Sequence, residues 1–215
     1  DLINACWHGD MDQRPSFEEI IPRFDYIIID GLLPDPMARQ LWRDRFLGMT
    51  TVSWRAFAEA FSEVIRVPLP KDPRDIKWQC LRRVTADPRD EQQVSLESFA
   101  KMLHWFGPLA EPSVLDRIHD LLRERYFHGE ISSQEAERRM GGEKKGTFLL
   151  RFSSRDLGCY ALTVVDGKGA LKHYRITHSP GSPYAIGKVH PRVCDMCDVC
   201  DMCDVCGVLC ACAKQ

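Results

Sequence analysis

The 215-residue chain carries a formal net charge of −2, and 44% of its residues are hydrophobic. This near-neutral balance excludes a general attraction to nucleic acid, and the apolar fraction is sufficient for packed cores. No apolar run approaches the roughly 18 residues that a membrane-spanning helix needs, so we expect no transmembrane segment. The first residues resemble neither a signal peptide nor a natural start, so we expect a chain that is incomplete at its N-terminus.

The cysteines are unevenly distributed along the chain. Cys6, Cys80 and Cys159 are widely separated, whereas the other seven of the 10 lie between Cys194 and Cys212. Isolated thiols are typical of a reducing compartment, because an oxidising one favours paired cysteines. The sequence therefore predicts a cytoplasmic protein.

The first half of the chain has the apolar spacing of helices. Residues 16–30 predict a short helix with Ser16 as its cap and Glu19 in the capping-box position. Recurring apolar residues predict further helices at about 37–46, 53–65, 74–84, 96–106 and 112–124. We therefore expect a compact helical region over residues 31–125.

After Phe127 the apolar pattern changes from helical to strand-like. A short helix is expected at 132–140. The predicted strands span 147–152, 159–165 and 170–176, with a hairpin turn at 166–169. The expected fold class is α+β, with a helical region followed by a central antiparallel sheet that is flanked by a helix.

Arg151 stands in an apolar strand, where an unpaired charge is expensive. Ser153 and Ser154 follow it and offer hydroxyls and turn N–H groups of the kind that bind anions. His173 and Arg175 lie two positions apart on a later strand, so they share a face of the sheet. Because a guanidinium binds a phosphate through two parallel hydrogen bonds, these five residues are candidates for a phosphate pocket.

A purely structural role for Arg151 is the alternative. Its charge is then compensated by an internal carboxylate, such as that of Glu135 or Asp156. The residues by themselves leave both interpretations open.

The order of four motifs bears on this choice. They are "YFHGEISSQEAERRM", "GTFLLRFSS", "GCYALTV" and "LKHYRI", and together they resemble the Src-homology-2 (SH2) domain. The resemblance implies that Arg151 binds the phosphate of phosphotyrosine and that Ser153 and Ser154 line the phosphate loop. It also implies that His173 and Arg175 form the other wall of the pocket. The expected partners are tyrosine-phosphorylated proteins or peptides.

One position departs from the family pattern. The family usually has a second arginine near the start of the first helix, and Ser133 stands there in this sequence. A single arginine leaves much of the charge of a phosphate to water and hydroxyls, so we expect Arg175 to compensate.

The helical region resembles the EF-hand-like linker that precedes the SH2 domain in Cbl-type ubiquitin ligases and in STAT transcription factors. The resemblance rests on residues 37–61 and 84–99. The positions of a calcium loop would be Asp87, Arg89, Glu91, Gln93, Ser95 and Ser98. Because Arg89 is cationic and Ser98 cannot chelate as a glutamate does, we expect no metal here. The expected role is a scaffold that buries Trp42, Trp54 and Trp105.

The segment "CWHGDMDQRPSFEEI", residues 6–20, resembles the end of a protein kinase catalytic domain. The chain has no glycine-rich loop, ATP-binding lysine, His-Arg-Asp loop or Asp-Phe-Gly motif, so we expect no catalytic residue and no cofactor. The resemblance implies a parent kinase with a C-terminal SH2 domain. An intramolecular contact with that upstream kinase domain stays open, as does the alternative that the whole protein is an active kinase and this chain only its tail.

The last segment repeats Cys-x-x-Cys spacing, which is typical of zinc or soft-metal sites. It has no histidine and no separated second ligand pair, and its residues are also what a TG-rich nucleotide repeat would encode. We favour the hypothesis that the tail is such a repeat read through as protein, a gene-model artefact, over a metal-binding interaction protein. We also expect the SH2 domain to lack its second helix. The expected domains are therefore the kinase end at 1–30, the linker at 31–125, the SH2 domain at 126–193 and the cysteine-rich tail at 194–215.

Overall fold

The helical spacing of the first half of the chain is reproduced in the computed structural model, which describes residues 2–109, 113–177 and 184–188. The chain divides into two units, Asp1–Asp120 and Leu121–Gln215. No helix in the described part of the chain is long and apolar enough to cross a membrane. The part of the chain to which the expected lack of a second SH2 helix refers, and the cysteine-rich tail at 194–215, lie outside the described residues.

Helices dominate the first unit, close to the predicted positions. They are α1 (Leu2–Cys6), α2 (Phe17–Leu32), α3 (Pro36–Phe46), α4 (Trp54–Ile65), α5 (Ile76–Thr85), α6 (Leu96–Phe106) and α7 (Val114–Leu122). The predicted capping box is confirmed, because Ser16 and Glu19 satisfy each other's backbone N–H groups at the start of α2. Asp35, Ser53 and Ser95 are the N-caps of α3, α4 and α6, where each side chain accepts a hydrogen bond from a backbone N–H of the first turn.

A small antiparallel sheet interrupts this helical region, and its existence is not predicted by the sequence pattern. Its strands are β1 (Thr51–Ser53), β2 (Ala86–Asp87) and β3 (Asp90–Ser95), in the order β1-β3-β2. Val52 pairs with Val94 across β1 and β3, and both side chains are buried. Strands of two to six residues are too short to show a clear alternation. The helical region therefore also contains a short sheet that the sequence analysis did not predict.

Aromatic side chains fill the core of the first unit. Trp42 is fully buried, stacks on Phe99 and donates its indole N–H to the carbonyl of Met49 at 3.0 Å. Trp54 and Trp105 are only partly buried, so of the three tryptophans predicted to be buried only Trp42 is fully buried. Phe57, Phe61 and Phe99 occupy it, and each of the three has an exposed fraction of 0%. Contacts between their rings add packing energy to the burial of apolar surface.

The second unit has the predicted order of one helix and antiparallel strands. The elements are α8 (Ser133–Met140), β4 (Phe148–Phe152), β5 (Tyr160–Val165), β6 (Leu171–Thr177) and β7 (Ala185–Lys188). The strands pair antiparallel in sequence order. Ala136 and Met140 of α8 pack against Leu149 and Val165, so the helix covers one face of the sheet. The α+β fold class is confirmed.

Candidate functional site

The register of the sheet brings the predicted site residues onto one face. Arg151 of β4 stands opposite Ala161 of β5, which in turn stands opposite Arg175 of β6. His173 lies two residues before Arg175 and opposite Thr163. Because side chains alternate along a strand, Arg151, His173 and Arg175 point to the side of the sheet that α8 covers. The small side chain of Ala161 leaves space between the two arginines.

Arg151 is buried, with 5% of its surface exposed. Its Nη2 donates to the Ser133 hydroxyl at 3.0 Å, and its Nη1 donates to the carbonyls of Ile131 at 3.3 Å and Phe152 at 3.4 Å. Its Nε is buried without a hydrogen-bond acceptor. Burial lowers the pKa of the guanidinium, and the positive charge of Arg155 lowers that pKa further. The group therefore keeps an uncompensated charge and an unsatisfied donor.

The internal-carboxylate interpretation of Arg151 is wrong, because both proposed carboxylates pair elsewhere. Glu135 pairs with Arg138 and Arg139 at 2.7 Å each, and their hydrogen bonds lower its pKa to about 2. Asp156 pairs with Arg175 at 3.0 Å. Within the described ranges no carboxylate lies in ion-pair distance of Arg151.

The segment from Ser153 to Cys159 forms a closed loop directly after β4. The Ser153 N–H donates to the Cys159 carbonyl at 2.9 Å, and the Cys159 N–H donates to the Asp156 carbonyl at 3.2 Å. The Ser153 hydroxyl accepts from the Asp156 N–H at 3.2 Å, which leaves its own O–H free to donate. Ser154 is exposed at the surface of the loop. Both predicted serines are therefore placed within this loop, beside β4.

Carboxylates hold the two predicted residues on β6. The Nε2 of His173 lies 3.0 Å from Glu137 of α8, and its Nδ1 lies 3.0 Å from the hydroxyl of the fully buried Thr163. Arg175 is held by Asp156 of the loop. This wall of the pocket is thus partly neutralised by groups of the protein itself, a feature that the sequence pattern does not indicate.

Arg155 is a further cation at this site, and the sequence reasoning missed it. It lies in the loop between Ser154 and Asp156, and its side chain is exposed. Its charge acts on Arg151, as the lowered pKa of that guanidinium indicates. The signal available in the sequence was its position four residues after Arg151, inside the predicted loop.

The arrangement is suited to a small, doubly charged anion. Arg151 supplies a buried positive charge, and Ser153 supplies a hydroxyl. Arg155 and Arg175 supply positive charges closer to the surface. Charge-assisted hydrogen bonds from guanidinium groups to phosphate are among the strongest in proteins. The second unit belongs to the class of domains with a central antiparallel sheet and a flanking helix, and its candidate anion site lies on the face that α8 covers.

Comparison with known families agrees with this class. Residues 126–200 match the SH2 domain family. The chain therefore contains an SH2 domain, as the four motifs predict.

Comparison with curated proteins extends the similarity upstream of that domain. The chain is 37% identical to the dual specificity protein kinase shkC of Dictyostelium discoideum over 192 residues, which cover 82% of this chain and 38% of the relative. It is 32% identical to shkA of the same organism over 208 residues, covering 86% of this chain and 39% of the relative. The chain is thus homologous to SH2-containing kinases, and it spans about two fifths of the length of these two relatives.

A third relative matches the helical region as well. The chain is 28% identical to the E3 ubiquitin-protein ligase cblA of Dictyostelium discoideum over 147 residues, covering 66% of this chain and 21% of the relative. This alignment is longer than the stretch from residue 126 to the end of the chain. It therefore includes part of the helical region, and the predicted similarity of that region to Cbl-type proteins is confirmed.

Proposed function

We propose that this chain is a non-catalytic module that binds tyrosine-phosphorylated proteins or peptides in intracellular signalling. The observation that carries the proposal is the state of Arg151, which is buried, charged and free of any carboxylate partner in the described part of the chain. A buried charge is retained at a high desolvation cost, so an uncompensated one indicates an external counter-ion. Ser153, Ser154, His173 and Arg175 complete the proposed pocket.

Phosphotyrosine fits this pocket better than phosphoserine does. Arg151 lies in the second half of β4, beneath α8, and only 5% of its surface is accessible. A phosphate on a long aryl side chain reaches such a group, whereas a phosphate on a short serine side chain stays at the surface. The peptide backbone would then lie across the exposed part of the sheet, in the mode used for phosphate capture by arginine.

The test is a fluorescence-anisotropy titration of the full chain, kept under reducing conditions, with a degenerate phosphotyrosine peptide pool. Wild-type protein should bind the pool saturably. Arg151→Ala should weaken binding by about 2–3 kcal/mol or more, because it removes a charge-assisted, bidentate contact with the phosphate. The unphosphorylated pool and a phosphoserine pool are the matched ligand controls.

Two results would count against the proposal. One is equal binding of the phosphorylated and unphosphorylated pools by wild-type protein. The other is unchanged affinity in Arg151→Ala, provided that circular dichroism shows both proteins folded. Loss of binding in Arg151→Ala together with preference for phosphotyrosine would establish the site.

We also propose that the chain is the C-terminal part of a longer kinase, with the kinase end at 1–30, the linker at 31–125 and the SH2 domain at 126–193. The names of the relatives support this proposal. So does α2, where several apolar side chains are exposed although they are of the type that proteins bury: Phe17, Ile21, Phe24, Ile27 and Ile28. The remainder of a catalytic domain would cover that face. Transfer of phosphate would then belong to the upstream part and not to residues 1–215.

Sequencing of the transcript upstream of the codon for Asp1 tests the second proposal. The expected result is an open reading frame that encodes a glycine-rich loop, an ATP-binding lysine, a His-Arg-Asp loop and an Asp-Phe-Gly motif. A stop codon in frame close to Asp1 would overturn it. Reads across the codons for residues 194–215 from the same transcript decide whether the messenger encodes the cysteine-rich tail.

A further inference from the structure

We propose that Arg155 is the second phosphate-binding cation of the pocket, in the role that Ser133 cannot fill. The inference rests on the proposed phosphotyrosine function and specifies how the site meets the second charge of the phosphate. It differs from the expectation drawn from the sequence, in which Arg175 compensates.

Arg175 is the less available of the two arginines. It forms an ion pair with Asp156 at 3.0 Å, and that carboxylate belongs to the same loop that surrounds the phosphate position. A phosphate that recruits Arg175 must displace Asp156 or share the guanidinium with it. Either arrangement places two anions near one cation, which reduces the net attraction.

Ser133 contributes a hydroxyl but no charge. It stands at the first position of α8 and accepts the hydrogen bond from Nη2 of Arg151. Its part in the pocket is therefore to orient Arg151. The site still lacks a second positive group that is free of a carboxylate.

Arg155 meets this requirement. In the described part of the chain it has neither an ion pair nor a side-chain hydrogen bond, and it is exposed. The loop that carries it is closed by backbone hydrogen bonds between Ser153 and Cys159 and between Asp156 and Cys159, so its Cα is held beside the end of β4. Its charge reaches Arg151, which is the group that has the unsatisfied Nε.

Two uncompensated guanidiniums that repel each other form a site that a dianion stabilises. A phosphate placed between them removes the repulsion and gains two attractive interactions in its place. Because Arg155 is exposed, its contribution is screened by salt, whereas that of buried Arg151 is screened much less. The two arginines therefore differ in a property that can be measured.

The experiment is a titration of the 215-residue wild-type chain and its Arg151→Ala, Arg155→Gln, Arg175→Gln and Lys145→Gln variants with the phosphotyrosine pool at low and high salt. Lys145 is an exposed cation of the same unit, so Lys145→Gln is the control for the change in net charge. We expect Arg155→Gln to weaken binding about tenfold at low salt and less at high salt. Arg175→Gln should have a smaller effect, and Lys145→Gln should bind like the wild type.

The outcomes separate the inference from the function on which it rests. If Arg155→Gln binds like Lys145→Gln while Arg151→Ala loses binding, the inference is wrong and the phosphotyrosine function stands. The inference is also wrong if Arg175→Gln has the larger effect. If Arg151→Ala binds like the wild type, the proposed function fails, and the inference fails with it. Because Arg155 is exposed, thermal melts of its variant should match those of the wild type.

Discussion

Each unit of the chain contains a charged side chain that is almost completely buried, and the two are satisfied to different degrees. Asp35 in the first unit is 6% exposed, and Arg151 in the second is 5% exposed. Asp35 accepts hydrogen bonds from the backbone N–H groups of Ala38 at 3.0 Å and Leu109 at 2.8 Å. Arg151 retains a buried Nε without an acceptor and has no carboxylate partner within the described ranges. Burial alone therefore does not distinguish these two charges, whereas their hydrogen bonding does.

Removal of the satisfied charge should give the largest effect on stability. Asp35→Ala leaves two buried N–H groups without an acceptor and removes the cap of α3, so the first unit should lose about 2–4 kcal/mol. All five tryptophans lie in this unit, so their fluorescence during urea unfolding reports it selectively. Asp44→Ala, at an exposed position of α3, is the control and should change stability by less than about 0.5 kcal/mol. Equal effects of the two variants would contradict the role given to Asp35.

Removal of the unsatisfied charge should leave stability nearly unchanged and abolish binding. Arg151→Met keeps much of the side-chain volume and eliminates a buried charge, so the second unit should change by less than about 1 kcal/mol or become more stable. Hydrogen exchange of the β4, β5 and β6 amides, followed by mass spectrometry, measures this. Phosphotyrosine binding should be lost in the same variant. A loss of more than about 2 kcal/mol of stability would instead show that Arg151 is structural.

Asp156→Asn should strengthen phosphotyrosine binding. The substitution removes the carboxylate that pairs with Arg175 and lies in the loop around the phosphate position. The backbone N–H of residue 156 still donates to Ser153, so the loop should keep its shape. We expect a gain of about 0.5–1 kcal/mol in binding free energy, measured by the same anisotropy titration. Weaker binding would indicate that Asp156 serves to position Arg175.

The smallest expected effect concerns the acid stability of the second unit. Arg138 and Arg139 lower the pKa of Glu135 from 4.5 to about 2 in the folded state. The ionised carboxylate therefore stabilises the fold above pH 4.5, and this contribution is lost as the pH falls from 4.5 towards 2. Glu135→Gln should make the stability of the second unit less dependent on pH in that window. The measurement is acid unfolding at low and high salt, and salt should reduce the difference because the pair is exposed.

Much of the second unit could be predicted, because the strands and the faces of their side chains follow from local backbone geometry. The short, nearly continuous apolar runs of β4 and β5 indicate the strands, and the two-residue spacing of His173 and Arg175 fixes the face they share. The partners of these side chains could not be predicted in the same way. Whether Asp156 pairs with Arg151 or Arg175 depends on the conformation of a loop, and sequence spacing does not determine it.

In the first unit, too, local sequence patterns predict the secondary structure but not the contacts between distant segments. Long amphipathic helices such as α4 and α6 were predictable, because several turns of apolar spacing add to one signal. The pairing of Val52 with Val94 joins segments about forty residues apart, and no local pattern encodes it. The partial exposure of Trp54 and Trp105 is likewise a result of tertiary packing that residue type does not decide.

The contacts of His173 fix the orientation of its imidazole ring. The carboxylate of Glu137 lies 3.0 Å from Nε2 and only accepts hydrogen bonds, so Nε2 bears a hydrogen, while Nδ1 lies 3.0 Å from the hydroxyl of Thr163. Both ring nitrogens are thereby engaged, and the ring is held from two sides. A phosphorylated aromatic side chain entering the pocket would then meet the carbon edge and the face of a ring in fixed orientation. His173 would select its ligand by shape and stacking, and the arginines would supply the charge.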